Sequence, residues 1–218
     1  MAIRFIYFDL GNVLLSFSHE RMCAQVAAVA GIEAEAVRRA LFDVATDAAS
    51  TGPASAGHSL QWRFERGEFD AATAYEEFCL ASGVRPDRTA VHAAACNMFA
   101  ELPESVALVR HLAAAGNRLG VLSNTNPIDF EFVREQFPFL RECFELHVVS
   151  YEAREMKPDA AIFAHAARRA GADAGEVFFT DDREENVAGA ISAGLDAVLF
   201  TSAEQIAGEL RRRGVKVD

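Results

Sequence analysis

Residues 5–14 read FIYFDLGNVL, from Phe5 to Leu14. Ile3 to Phe8 is an almost unbroken apolar run with β-branched and aromatic residues, which suits a strand buried on both faces of a parallel sheet. Asp9 ends the run. A carboxylate placed where a buried strand gives way to the turn Gly11-Asn12 sits at the sheet edge where open α/β folds bind ligands. Taken alone, Asp9 serves equally well as a cap for that turn. Three later stretches bear on the choice.

A chain of 218 residues is long enough to bury a core without covalent staples, as one large domain or as a domain with an insertion. The cysteines Cys23, Cys79, Cys96 and Cys143 are far apart and form no CxxC pair, so they read as small buried hydrophobes of a reducing compartment. Met1 leads directly into the first strand, without a basic segment followed by a longer apolar one. Nowhere do 18 apolar residues run together. The expectation is a soluble, cytoplasmic protein with no membrane partner. A formal net charge of −11 repels polyanions. The basic cluster Arg211-Arg212-Arg213 reads as the last turn of a C-terminal helix, where cations complement the dipole, so no nucleic-acid partner is expected.

From about His19 to Phe99 the pattern is helix after helix, Ala-rich and without strand alternation. The expected helices are His19–Ala30 before Gly31, Glu33–Ala49 running into Ser50-Thr51-Gly52-Pro53, and Leu60–Arg66 stopping at Gly67. Asp70 caps one reaching Ser82, and Pro86 opens one ending near Phe99. Trp62, Phe64, Phe69, Tyr75 and Phe78 read first as the core of this block and second as a pocket lining. From Pro103 helices alternate with strands at Arg118–Leu122, Glu145–Ser150, Glu176–Thr180 and Asp196–Phe200, the signature of a parallel sheet. Lys157-Pro158-Asp159 opens a helix with Pro158 in its first turn. The expected fold class is therefore α/β, a Rossmann-like parallel-sheet core over 1–16 and 99–218 with an α-helical cap inserted over 17–98.

Polar signals fall at strand ends or a helix start: Asp9, Ser123, Lys157 and the pair Asp181-Asp182. Three of them follow strands of one parallel sheet, so they converge on one edge. Singly, Ser123 reads as an N-cap, Lys157 as a loop lysine and the acid pair as a capping pair. Two adjacent acids after a buried strand repel each other unless a cation, a lysine or a proton compensates. Carboxylate and carbonyl oxygens are what Mg²⁺ selects; Asp9 supplies a third acid and Lys157 a balancing charge.

By motif and order the chain resembles the haloacid dehalogenase superfamily: hhhhDxG at Asp9, hhhS at Ser123, KP at Lys157 and hhhhDD at Asp181-Asp182, with a helical cap after the first. The wording DLGNV, LSNTN, KPD and FFTDDREENVAGA is similar to the phosphatases related to bacterial α-D-glucose-1-phosphate phosphatase. The resemblance implies a Mg²⁺-dependent phosphatase acting on a small phosphorylated metabolite, such as a hexose 1-phosphate. It implies Asp9 as the nucleophile that forms an aspartyl phosphate, and Ser123 with the backbone N–H of Asn124 on phosphate oxygens. Lys157 would balance the charge. Mg²⁺ would be held by Asp9, the carbonyl of Gly11 and Asp182, with Asp181 direct or through water. The superfamily's second aspartate, its general acid and base, is Gly11 here, and His19 is the nearest other proton carrier in sequence. Two other functions fit the pattern: a metal-independent 2-haloacid dehalogenase, and a non-catalytic member that binds a phospho-ligand or a protein. The doubled acid weighs against the first, and the retained nucleophile against the second.

Overall fold

The computed structural model describes residues 2–44 and 57–217. In chain order the elements are β1 (Phe5–Phe8), β2 (Leu15–Ser16), α1 (His19–Ala30), α2 (Ala34–Phe42), α3 (Leu60–Glu65), α4 (Ala71–Ser82), α5 (Arg88–Cys96) and β3 (Ala100–Glu101). There follow α6 (Pro103–Ala114), β4 (Leu119–Ser123), α7 (Pro127–Gln136), α8 (Phe139–Glu142), β5 (Leu146–Val149) and α9 (Ser150–Ala153). The chain closes with α10 (Ala160–Ala170), β6 (Val177–Asp181), α11 (Glu184–Ser192), β7 (Asp196–Leu199) and α12 (Ala203–Arg212).

Five strands form one parallel sheet in the order β5-β4-β1-β6-β7, which is the expected Rossmann-like core. The apolar run of β1 lies at its centre because both faces are covered. Ile6 and Phe8 enter one core with Val121 and Phe178, while Phe5 and Tyr7 enter the other with Leu122 and Phe179. Gly120 makes that second packing possible, since a Cβ there would stand 2.4 Å from the Tyr7 ring. The chain fills the sheet outward from β1 on one side, then reverses to β6 on the other. That reversal makes a topological switch point at the C-terminal end of β1.

Helices α1–α5 pack around their own apolar cluster, with Met22, Val26, Val37, Tyr75 and Phe78 at its centre. Tyr75 and Phe78 therefore build a core, as their spacing suggests, whereas Trp62 lines the cleft over Asp9. Ser18, Ser59, Asp70 and Asp87 each cap a helix by accepting a backbone N–H. Helix α2 stops at Phe42 rather than running to Ala49; the end of that expected helix and the loop Ser50-Thr51-Gly52-Pro53 lie outside the described residues. Pro86 precedes its helix, which is capped by Asp87. Pro158 likewise precedes α10, whose N-cap is Asp159, and the Lys157–Pro158 bond is cis. A pair of two-residue strands, β2 and β3, was not expected. They run antiparallel, Leu15 opposite Glu101 and Ser16 opposite Ala100, and join the chain where it enters and leaves the helical block. Among the described residues no helix is long and apolar enough to cross a membrane.

Candidate active site

The register of the sheet brings the strand ends into line. Phe8 pairs with Val121 and Thr180, so Asp9 follows β1 level with Asp181 on β6 and one residue short of Ser123 on β4. Asp9 and Ser123 are buried, 7% and 3% exposed, and Asp181 is wholly buried. Asp9, Gly11, Ser123, Asn124, Lys157 and Asp182 all line one cleft of about 370 Å³. Asp181 stands behind them.

Lys157 joins the two buried acids. Its ammonium donates to Asp9 Oδ1 at 2.7 Å, to Asp181 Oδ2 at 2.6 Å and to the Leu122 carbonyl at 2.9 Å. That uses the three donors an ammonium has. Burial works to lower its pKa, but the two carboxylates more than offset this and the net direction is upward. Burial pushes the Asp9 carboxyl up to about 6, with Lys157 opposing and Asp181 adding to the rise. Two buried carboxylates thus face one ammonium, and a third carboxylate, Asp182, stands near them. One oxygen from each of Asp9, Asp181 and Asp182 lies within 4.8 Å of the others, a hard-oxygen donor set of the kind that Mg²⁺ takes.

Several partners were not singled out from the sequence. Asn186, one turn into α11, donates to both oxygens of Asp181 at 2.9 and 3.0 Å, and the Arg183 N–H donates to Asp181 Oδ1 at 3.0 Å. Asn12 donates to Asp182 at 3.1 Å. The left-handed residue of the Gly-Asn turn is Asn12, φ 55°, a conformation Asn tolerates better than most. At Gly11 a Cβ would stand 2.7 Å from the Phe17 ring, so a side chain there would require that ring to shift. The Asn124 side chain is occupied with the lysine's backbone, accepting from the Lys157 N–H and donating to the Lys157 carbonyl, each at 2.9 Å. It therefore fixes the loop that aims Lys157. The Ser123 hydroxyl makes only a 3.4 Å contact with the next carbonyl.

The helical block contributes Gln61, Trp62 and Glu65 to the opposite side of the cleft. His19 also lines it, but its ring packs against Phe17 and Phe42 with centroids 5.0 and 4.8 Å away, and burial lowers its pKa. Asp129 lies at the cleft's inner end, accepting from Asn126 at 2.7 Å and lying 3.6 Å from the Cys96 sulfur.

A family model described as haloacid dehalogenase-like hydrolase matches residues 3–194. The chain is 25% identical over 146 residues to a bifunctional riboflavin kinase/FMN phosphatase from Arabidopsis thaliana. The match takes 62% of this chain but spans only 38% of that relative's length. Among solved structures, a HAD family enzyme from Bacteroides thetaiotaomicron in complex with magnesium and inorganic phosphate superposes with a TM-score of 0.74 at 24% identity, over 92% of this chain and 95% of that one. An L-2-haloacid dehalogenase from Xanthobacter autotrophicus superposes with a TM-score of 0.60 at 18% identity, over 98% of this chain and 84% of that one. At these identities the two structures speak for the fold.

Proposed function

The chain belongs to the haloacid dehalogenase-like hydrolases, and from that membership we propose that it is a Mg²⁺-dependent phosphomonoester hydrolase working through an aspartyl phosphate on Asp9. One observation carries the reading. Lys157 is bonded to both buried acids while Asp182 brings a third carboxylate to the open side of the same cleft, an excess of negative charge that suits a bound cation and a dianionic ester together. A metal-free dehalogenase has no use for that third acid.

In this reading Asp9, the Gly11 carbonyl and Asp182 would hold the metal, with Asp181 direct or through water while it also keeps Lys157 in place. Bound there, Mg²⁺ supplies positive charge that offsets the repulsion between the carboxylate nucleophile and the phosphate dianion. Lys157 holds the carboxylate of Asp9 in one orientation and shares the charge of the transferring group. Ser123 and the backbone N–H of Asn124 bind phosphate oxygens. The helical block, 17–98, is the cap on a core of 1–16 and 99–218, and it sets which ester fits. A cleft of about 370 Å³ suits a small metabolite, and the wording DLGNV and LSNTN favours a hexose 1-phosphate.

The test is phosphate release from hexose 1-phosphates, other sugar phosphates, FMN, nucleotides and p-nitrophenyl phosphate, with Mg²⁺ and with EDTA. Release should require Mg²⁺ and fall to trace levels in Asp9→Asn, which is nearly isosteric but a poor nucleophile. Full activity in EDTA, turnover by Asp9→Asn, or chloride release from 2-chloropropionate without metal would each overturn the reading.

A further inference from the structure

We propose that Glu65, on the helical side of the cleft, is the general acid and base that position 11 does not supply; the inference rests on the phosphatase reading above. Position 11 carries a glycine, and a Cβ there would press on the Phe17 ring at 2.7 Å, so the site is built without a carboxylate at that point. The proton carrier must then come from elsewhere in the cleft. Of the described acids and imidazoles that line it away from Asp9 and Asp182, His19 is packed between aromatic rings and Asp129 is committed to Asn126 and Cys96. Glu65 remains.

Its position is fixed by the sheet, although it belongs to the helical block. The Ser150 hydroxyl, at the end of β5, lies 2.6 Å from the Glu65 carbonyl and accepts from the Thr125 N–H at 3.0 Å. Glu65 is thereby tied to the loop that carries Ser123 and Asn124. Two residues on, Gly67 adopts φ 73° and packs so closely on α9 that a Cβ would lie 2.2 Å from the Tyr151 carbonyl oxygen. Gln61 donates to Glu65 Oε1 at 2.7 Å, which orients the carboxyl. Burial pushes that carboxyl up to about 7, opposed by the Gln61 bond, reinforced by the charge of Asp129 on α7 and opposed by Arg183 after β6. A carboxyl so placed holds both protonation states in useful amounts near neutrality.

The proton balance closes over two steps. As Asp9 Oδ bonds to phosphorus and the ester P–O bond breaks, the protonated Glu65 gives its proton to the leaving alkoxide, releasing the alcohol. Water then attacks the phosphorus of the aspartyl phosphate while the Glu65 carboxylate takes its proton. The P–O bond to Asp9 breaks, inorganic phosphate leaves, and Glu65 is again protonated.

The experiment compares wild type, Glu65→Gln and Glu65→Asp, each with Mg²⁺, on an alkyl phosphate and on p-nitrophenyl phosphate across pH. For the alkyl ester Glu65→Gln should lose about 10²–10⁴-fold in kcat, with KM near wild type and without the pH limb near neutrality; Glu65→Asp should recover part of the rate and the limb. For p-nitrophenyl phosphate, whose leaving group needs no acid, Glu65→Gln should show a burst of p-nitrophenol followed by slow turnover. An unchanged kcat and pH profile overturns the inference and leaves the phosphatase reading standing. So does a rise in KM alone, which marks Glu65 as a substrate hydroxyl ligand. If Glu65→Gln does not fold, Glu65→Asp decides: a reduced kcat for the alkyl ester with a shifted pH limb supports the inference, and wild-type kcat or an unshifted limb overturns it. A wild type that releases no phosphate from any ester removes both readings together.

Discussion

The two sides of the cleft are held in different ways. On the sheet side the buried charges are held by hydrogen bonds: Lys157 spends its donors on Asp9, Asp181 and Leu122, and Asp181 also accepts from Asn186 and Arg183. On the helical side an apolar cluster holds the block together, and ties such as the Glu65–Ser150 bond and the Gly67–Tyr151 packing hold it to the sheet. Rigidity is concentrated where charge is met. Groups that meet charge must be fixed to a fraction of an ångström; on the helical side the bond through Ser150 anchors the Glu65 backbone, while apolar packing holds the rest of the block.

The comparison is tested most severely at Lys157. Lys157→Ala leaves Asp9 and Asp181 buried, close and uncompensated, so it should cost about 3–5 kcal/mol of stability and abolish phosphate release. Urea unfolding and a phosphate assay read both; near-native stability would mean that the sheet side does not depend on the buried ammonium. Next comes the tie between the sides. Gly67→Ala demands a left-handed φ of an L side chain, about 1–2 kcal/mol, and overpacking against Tyr151, about 1–3 kcal/mol. Turnover should drop while Mg²⁺ binding, measured by calorimetry, persists, because the acids of the sheet side are untouched. Equal loss of both would show the two sides to be one unit.

The smallest effect concerns Asp129, where the sides meet. Burial raises its carboxyl from 3.8 to about 6, with its Asn126 and Cys96 contacts opposing. The folded form therefore holds its proton more tightly than the unfolded chain does. Stability from this group is fully present below about pH 4 and is lost as pH rises through about 6, on the order of 1–3 kcal/mol. Asp129→Asn removes the titration, so the stability of wild type relative to the variant should fall between pH 4 and 6 and then level off. A difference that stays flat over that window would show that the carboxyl is not held protonated.

Asp9, Ser123 and Asp181-Asp182 were legible in the sequence because each ends an apolar run, and a parallel register leaves such residues few places to go. Lys157 was legible through the proline beside it and the surplus of acid it had to balance. The Rossmann-like sheet followed from alternating helix and strand patterns, and its strands differ from expectation by a residue or two at their ends. Their partners were not legible. Asn12 reaches Asp182 across 170 positions and Ser150 reaches Glu65 across 85, and nothing local to either residue states where its hydrogen bond goes. Glu65 sits in the ordinary-looking helix end FERG, and its environment is set by Asp129 and Arg183 on other elements. Gly11 was legible as the departure from the second aspartate, but the Phe17 ring that crowds it was not.

The short ribbon of β2 and β3 has a consequence for how such a chain diversifies. Because Leu15 and Ser16 are zipped to Glu101 and Ala100, the chain leaves the sheet and returns to it through adjacent points. To the sheet, everything between those points is a single closed loop, and loop-closure entropy grows only with the logarithm of length. The block can therefore lengthen, shrink or be exchanged for another, and the strand ends that carry Asp9, Ser123 and Asp181 keep their register. The ribbon is a socket: it lets inheritance vary the helical block while the strand ends beneath it keep their places.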